Sequence, residues 1–534
     1  NPKFLIGSSV DYRAESSTGV YISKDGGKTW LNRHFGHPFE NWRSTNDPSV
    51  AFDPNGYGYL VYGGFPDVAT VSGAMENGVF IAKTTDEGET WKAHIPVILH
   101  KGVLTLDSAF DDKYYISVDN SPTSPYHKHL YIPWKRVTPR DSATQIFLSK
   151  STDAGETWSN PVPVSYRVAG SSEDTTYGQS FPLATTSPEG DVYVVWNHGI
   201  VHGIGFAKST DGGNTFSEPR IIQFYNIFGK TKDISGGGEP IYRHSVKGKV
   251  RAEAYPVVIC DTTNGVNRGK IYLCWAADEI PNIYFSYSED KGVTWSEPIF
   301  VSSDTTNDQF WQWMSIDPKN GDLAIMYLDS RNDPANIMVE CYAAYSSDGG
   351  KSWIDRRVSD ISSDLRLNPF AANAFAGDYS GCAFFDGKIY PSWVDMRNAV
   401  KNIFDSDVLT ALINVRSPMP PENFIGHTQP ERIKEIKLDW IAPTERSFGQ
   451  TLKLGEYNYV LYRDGKFLAE IASDNTEHFD SGLIPYEKYE YKIATCSGAD
   501  TSIFRETFAF AGGAKKPAAP EIVSFKAGNG NDAE

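Results

Sequence analysis

The chain has 534 residues, 40% hydrophobic and 13% aromatic, with a formal net charge of −17. That acidic balance, with no Lys/Arg run against it, argues against a nucleic-acid backbone as partner. No apolar run approaches the ~18–20 residues that a membrane-spanning helix needs.

The chain opens at Asn1-Pro2, without an initiator Met or a signal-like apolar segment, which leads us to expect a processed, exported protein or further chain upstream. The first strand-like runs are FLIGSSV and GVYISK, followed by the octapeptide SKDGGKTW (residues 23–30). Five more segments repeat its pattern of Ser/Thr-x-Asp-x-Gly-x-Thr/Ser-aromatic: TTDEGETW, STDAGETW, STDGGNTF, SEDKGVTW and SSDGGKSW. Their aspartates are Asp25, Asp86, Asp153, Asp211, Asp290 and Asp348, a period near 60 residues that signals a repeat architecture. Within such a turn an Asp accepts hydrogen bonds from its own backbone, Gly supplies a left-handed conformation, and the aromatic anchors the turn from below.

From the second unit onward, two further strand-like runs precede each octapeptide: PSVAFD with YLVY, YYISVD with LYIPW, PLATTS with VYVVW, PVVICD with IYLCW, and MSID with LAIMYLD. Hairpin-like turns such as SPEGD and PKNGD separate several of these pairs. A four-stranded unit results. After the sixth octapeptide come GCAFFD, KIYPSWVD and DVLTALINV, three strands without the motif. Near Arg416 the Pro-rich SPMPPENF reads as a linker. Beyond it LDWIAP, YNYVLYRDGK, FDSGLIPYEKYEYKI and FRETFAF have the short alternating strands of a β-sandwich.

The octapeptide resembles the Asp box, or BNR repeat, of sialidase-like β-propellers, over roughly residues 1–415. The resemblance implies an all-β Asp-box β-propeller, of seven blades by preference and six as the alternative, with an upstream segment completing the ring. In that family the box joins the last two strands of a blade, away from the active face, so the six aspartates are expected to be structural. Residues 416–512 resemble a fibronectin type III domain, with Trp440 and Leu483 as core anchors and Tyr489 near the tyrosine-corner position; 513–534 reads as a linker or the start of a further segment.

In a propeller, ligands meet the loops that lead into the first strand and out of the second strand of each blade. The approach positions here include Arg43, Asp47, Asp112, Lys113, Gln179, Arg251, Glu253, Asp308, Gln309, Trp311, Asp378 and Tyr379. The exit positions include Arg136, His198, Asp278, Asp329, Arg331, Asp395 and Arg397. The motifs YLDSRNDP and SWVDMRN set Asp and Arg two apart directly after a strand. If the family's activity is present, the resemblance implies Arg251, Arg331 and Arg397 as a carboxylate clamp, Tyr379 with Glu253 as nucleophile pair and Asp47 as acid. Gln309 and Trp311 are further candidates for ligand contact. The family's Arg-Ile-Pro signature is absent from residues 1–60. The alternative for the Asp-x-Arg pairs is structural: salt bridges that close the ring.

No HxH or HExxH spacing indicates a transition metal, and no phosphate loop or GxSxG elbow occurs, so no cofactor is implied. The five cysteines form no CxxC pair and read as buried thiols; Cys260 and Cys274 are the pair to check for a disulfide. The primary expectation is a secreted or cell-surface scaffold that binds an extracellular glycan, glycoprotein or cell-surface protein. The alternative is an exo-α-sialidase or other glycoside hydrolase.

Overall fold

The computed structural model describes residues 3–11, 17–66, 75–170, 178–226, 228–233, 241–248, 250–367, 377, 379–400 and 405–514. It is all-β, with a single short 3-10 turn, Leu365–Leu367, among the described residues. The chain divides into two compact units, Asn1–Ile413 and Asn414–Glu534.

The first unit is a succession of antiparallel sheets over residues 5–34, 44–100, 110–163, 179–224, 257–300, 309–357 and 381–410, with strands paired in chain order except in the third, where two short strands both pair with the one that follows them. We number them sheets 1 to 7. A small three-stranded sheet, residues 230–251, lies between sheets 4 and 5 in sequence. The second strands of sheets 2, 5 and 6 (GYLVYGGF, IYLCWAA and LAIMYLD) are buried at every residue. That burial explains why these stretches read as continuous apolar runs: each sheet face is covered by a neighbour.

Hydrogen bonds sew each sheet to the next. The Thr18 amide donates to Thr45 Oγ1 at 2.7 Å, Ile116 to Ser49 Oγ at 3.3 Å and Gln179 to Thr144 Oγ1 at 2.8 Å. Cys260 donates to Thr185 Oγ1 at 3.0 Å, and Gly387 to Asp317 Oδ2 at 2.7 Å. Gln312 of sheet 6 donates Nε2 to the Ala254 carbonyl, just before sheet 5, at 2.9 Å. Sheet 7 returns to sheet 1, where the Tyr390 ring lies 3.6 Å from where a Gly27 Cβ would be. The succession therefore closes on itself. First strands of sheets 2 to 6 surround a cavity of about 280 Å³, lined by Val50, Ile116, Leu183, Val257 and Met314 among others.

The six octapeptides each join the last two strands of sheets 1 to 6. In the fifth, Asp290 Oδ1 accepts from the Thr294 amide and Ser288 Oγ, both at 2.8 Å, and Oδ2 from Thr294 Oγ1 at 2.6 Å. Asp25, Asp86, Asp153, Asp211 and Asp348 repeat this pattern of acceptance. Gly292 takes φ +83°, and a Cβ there would overlap the Phe206 ring of the preceding sheet, so a side chain is refused twice.

All five cysteines are free. Cys260 and Cys274 do lie on paired strands, but they face Ile271 and Val257 respectively, so the register keeps the two thiols apart.

The second unit consists of a three-stranded and a five-stranded antiparallel sheet. Their shared core includes Trp440, Leu483, Tyr459 and Tyr491, with the Trp440 and Tyr459 rings edge-on at 5.1 Å. Tyr489 accepts the Ile484 amide on its phenol oxygen at 2.9 Å. The Pro-rich stretch is not a free linker. The Met419 amide donates to the Glu445 carbonyl at 3.0 Å, and Arg446 Nη1 to the Arg416 carbonyl at 2.7 Å.

Candidate functional site

The approach to the first strand of sheets 2 to 6 has a shared backbone peculiarity. Asp47, Lys113, Phe181, Tyr255 and Trp311 all have positive φ, between 43° and 57°. Bulky side chains rarely accept this left-handed conformation, which costs ~1–3 kcal/mol where it occurs and concentrates at functional sites. At residues 47, 181 and 311 it coincides with a slip in strand register. Such a bulge re-aims a side chain at the end of a strand.

The first four of these residues meet. Lys113 Nζ lies 3.1 Å from Asp47 Oδ2, with side chains only 8% and 14% exposed. The Tyr379 hydroxyl, approaching sheet 7, donates to the same Asp47 oxygen at 3.4 Å. The Lys113 ammonium sits 5.2 Å from the Phe181 ring centre and 5.0 Å from that of Tyr379. Phe181 packs edge-on against Tyr255 at 4.4 Å and Tyr379 at 5.9 Å. Side chains from sheets 2, 3, 4, 5 and 7 thus converge, and Tyr379 remains 37% exposed above them.

Tyr114 braces this corner. Its buried phenol donates to the Asn46 carbonyl at 2.9 Å and Oδ1 at 2.5 Å, between Asp47 and Lys113. Burial, with Asp47 and Asp112 nearby, holds that phenol well above the usual tyrosine range and so protonated as a donor. Gly63 makes room for it, since a Cβ there would overlap the phenol oxygen.

Glu253 is buried and accepts Asn197 Nδ2 on Oε2 at 2.6 Å; Tyr225 donates to the other end of that amide. Glu253 is thus tied to Asn197, and Tyr379 to Asp47, Lys113 and Phe181. Asp378 lies outside the described residues.

Two of the three arginines expected as a clamp are held by acids. Arg331 donates Nε and Nη2 to Asp329 Oδ2 at 3.0 and 2.7 Å and Nη2 to Asp355 at 2.6 Å, with Ser302, Ser303 and Tyr327 as further acceptors. Arg397 forks onto Asp395 at 2.9 and 3.0 Å and reaches Asp360 at 2.8 Å. Arg136 forks onto Asp111 at 2.8 and 2.9 Å. The hydrogen bonds to Asp395 and then Asp360 hold Arg397 above its usual range. A guanidinium so occupied has little left for a ligand. Arg251 belongs to the small three-stranded sheet, where it pairs with Ser245.

Two further expected ligand contacts are spent inside the fold. Trp311 is 1% exposed and donates Nε1 to the Arg251 carbonyl at 3.3 Å. Gln309 is fully buried and donates Nε2 to Ser302 Oγ at 2.8 Å. The bulge at Trp311 is the cause, because it turns this end of the strand into the core. Gln179 is likewise buried and bonded to the Tyr166 carbonyl at 2.7 Å. Asp308 pairs with Lys247 at 3.0 Å, and Asp278 accepts from Tyr284 at 2.5 Å.

Sequence reasoning missed Phe181 and Tyr255. One signal was available: Asp47, Phe181 and Tyr255 each precede a proline at the same place in their units.

No family model matches the chain. A sialidase of Bacteroides fragilis is 26% identical over 166 residues, which span 28% of this chain and 28% of the sialidase. Among solved structures, an α-L-arabinofuranosidase of Fusarium graminearum is similar at 13% identity, covering 71% of this chain and 96% of that one, with a TM-score of 0.41. A Penicillium chrysogenum α-L-arabinanase is similar at 14% identity, covering 61% and 85%, with a TM-score of 0.39.

Proposed function

We propose that the chain is a sialidase-like Asp-box β-propeller of seven blades, residues 1–415, followed by a fibronectin type III-like module, residues 416–512, and that it is a glycoside hydrolase acting on extracellular glycans. The observation that carries this reading is the meeting of Asp47, Lys113 and Tyr379 where five sheets converge on strained backbone. The partial match to a sialidase supports it.

In this reading the Tyr379 oxygen bonds to the anomeric carbon as the bond to the aglycone oxygen breaks; Asp47 takes the phenol proton across the 3.4 Å hydrogen bond and passes it to the departing aglycone, and water then cleaves the glycosyl-tyrosine to release the sugar. Lys113 keeps Asp47 neutralised and in place. Glu253 holds the Asn197 amide and through it the wall of the site, in place of the nucleophile-pair role expected from the resemblance. The six turn aspartates are structural. An exported location and a display role for the second unit complete the proposal.

Incubation with a mixed glycan pool, followed by chromatography of released sugars, tests the reading. Wild-type chain should release sugar; Tyr379→Phe should lower the rate ~100-fold or more at unchanged melting temperature, and Asp47→Asn should do so with some loss of stability, since it removes the carboxylate that the buried Lys113 pairs with. Binding without release by the wild type would favour a non-catalytic glycan-binding scaffold instead. That reading has one observation of its own: a carboxylate only 14% exposed and already paired.

A further inference from the structure

We infer that the site takes an uncharged glycan and discriminates against acidic sugars such as sialosides. This names the substrate class of the site proposed above and rests on that reading.

Five of the described cations at this end of the strands are already matched. Arg136, Arg331 and Arg397 each fork onto an aspartate of their own sheet, while Lys113 sits on Asp47 and Lys247 on Asp308. Two of the arginines face a second carboxylate: Asp355 beside Arg331 and Asp360 beside Arg397. Among these named groups the carboxylates outnumber the cations, which disfavours an incoming carboxylate.

To be held by one of these arginines, a substrate carboxylate must take it from its partner. The side chains of Asp329 and Asp111 are fully buried. Stripping the guanidinium away leaves Asp329 as an uncompensated buried charge, among the most costly changes a fold can suffer, and leaves Asp111 to His100 at 2.8 Å. The Arg331 fork is further locked by Ser302, Ser303 and Tyr327. A ligand that makes no demand on these arginines fits without that penalty.

The exposed group at the centre suits such a ligand. Tyr379 offers an aromatic ring and a hydroxyl, with Phe181 beside it. A sugar ring lays its C–H face on an aromatic surface and its hydroxyls on nearby polar atoms, with no net charge required.

The test compares kcat/KM for 4-methylumbelliferyl α-N-acetylneuraminide with that for a panel of uncharged 4-methylumbelliferyl pyranosides and furanosides. Titration calorimetry with sialyllactose and with uncharged oligosaccharides runs in parallel. We expect an uncharged compound to be preferred by at least ~10-fold at low salt, with the margin narrowing but persisting at high salt, which screens the repulsion and leaves the arginine–aspartate forks in place. Equal or better handling of the sialoside, or a preference that vanishes in high salt, overturns this inference and leaves the glycosidase reading standing. Silence toward every compound in both assays overturns the glycosidase reading, and the inference with it.

Discussion

Replacing Asp290 by Ala isolates what one octapeptide turn contributes. The change removes the acceptor for the Thr294 amide, the Ser288 hydroxyl and the Thr294 hydroxyl at 2.8, 2.8 and 2.6 Å. A net hydrogen bond is worth ~0.5–1.5 kcal/mol, and exposed donors recover part of it from water, so the total loss should be ~1–2 kcal/mol. Asn keeps one acceptor oxygen and should lose about half as much. With an unfolding entropy of ~2.1 cal/mol/K per residue, a first unit of this size should melt ~1–2 °C lower, and the shift in denaturant midpoint is the more sensitive reading. Gly292→Ala should cost more, because it combines a left-handed backbone with an overlap against Phe206. An Asp290→Ala chain that melts and unfolds like the parent, yet loses glycan turnover, would refute the structural assignment of these aspartates.

Asp86, Asp211 and Asp290 are lowered to about 2. For Asp86 and Asp290 the hydrogen bonds from Thr90 and Thr294 are the main cause; for Asp211 burial pushes upward and the hydrogen bonds led by Thr215 outweigh it. A depressed carboxylate stabilises the fold fully above its unfolded value and loses that contribution as pH falls through the folded one, so melting temperature should drop between about pH 4 and pH 2. A flat acid limb in a pH series of thermal melts would contradict this. Tyr114→Phe and Gly63→Ala should each lower kcat more than KM is raised, since the phenol braces Asn46, next to Asp47 in the chain; an effect on melting alone would leave them merely structural. Limited proteolysis should spare residues 416–420, whose backbone is bonded to residues 445 and 446, and early cleavage there would contradict that tie.

The sheets were largely legible because their determinants are local. Strand alternation, hairpin turns and six octapeptides in register place the inner strands of most sheets of the first unit, though not the small sheet at 230–251, and Trp440 and Leu483 mark the core of the second. The site was less legible because it is assembled across the ring: Asp47 and Tyr379 touch although 332 positions apart. Nothing in either local sequence states that contact. Side-chain direction at Trp311 and Phe181 was hidden for another reason. A one-residue bulge reverses which face a residue occupies, and alternation alone does not reveal it. The Asp-x-Arg pairs show a third limit. Asp329 accepts the Arg331 amide at 2.7 Å, and Asp395 the Arg397 amide at 2.9 Å, so the chain turns back and folds each guanidinium onto the preceding acid. The spacing that suggested a shared outward direction produces an internal fork instead.

The central claim is that the convergence of Asp47, Lys113, Phe181 and Tyr379 is where a glycan binds. A crystal structure of the Tyr379→Phe chain soaked with an oligosaccharide that the wild type releases sugar from tests it most directly. The account predicts a sugar ring in van der Waals contact with the residue 379 ring, with a sugar hydroxyl donating to Asp47. Sugar density seated elsewhere, such as the groove of the second unit lined by Asn423, Lys437, Asp439 and Glu477, with this convergence empty, would contradict it.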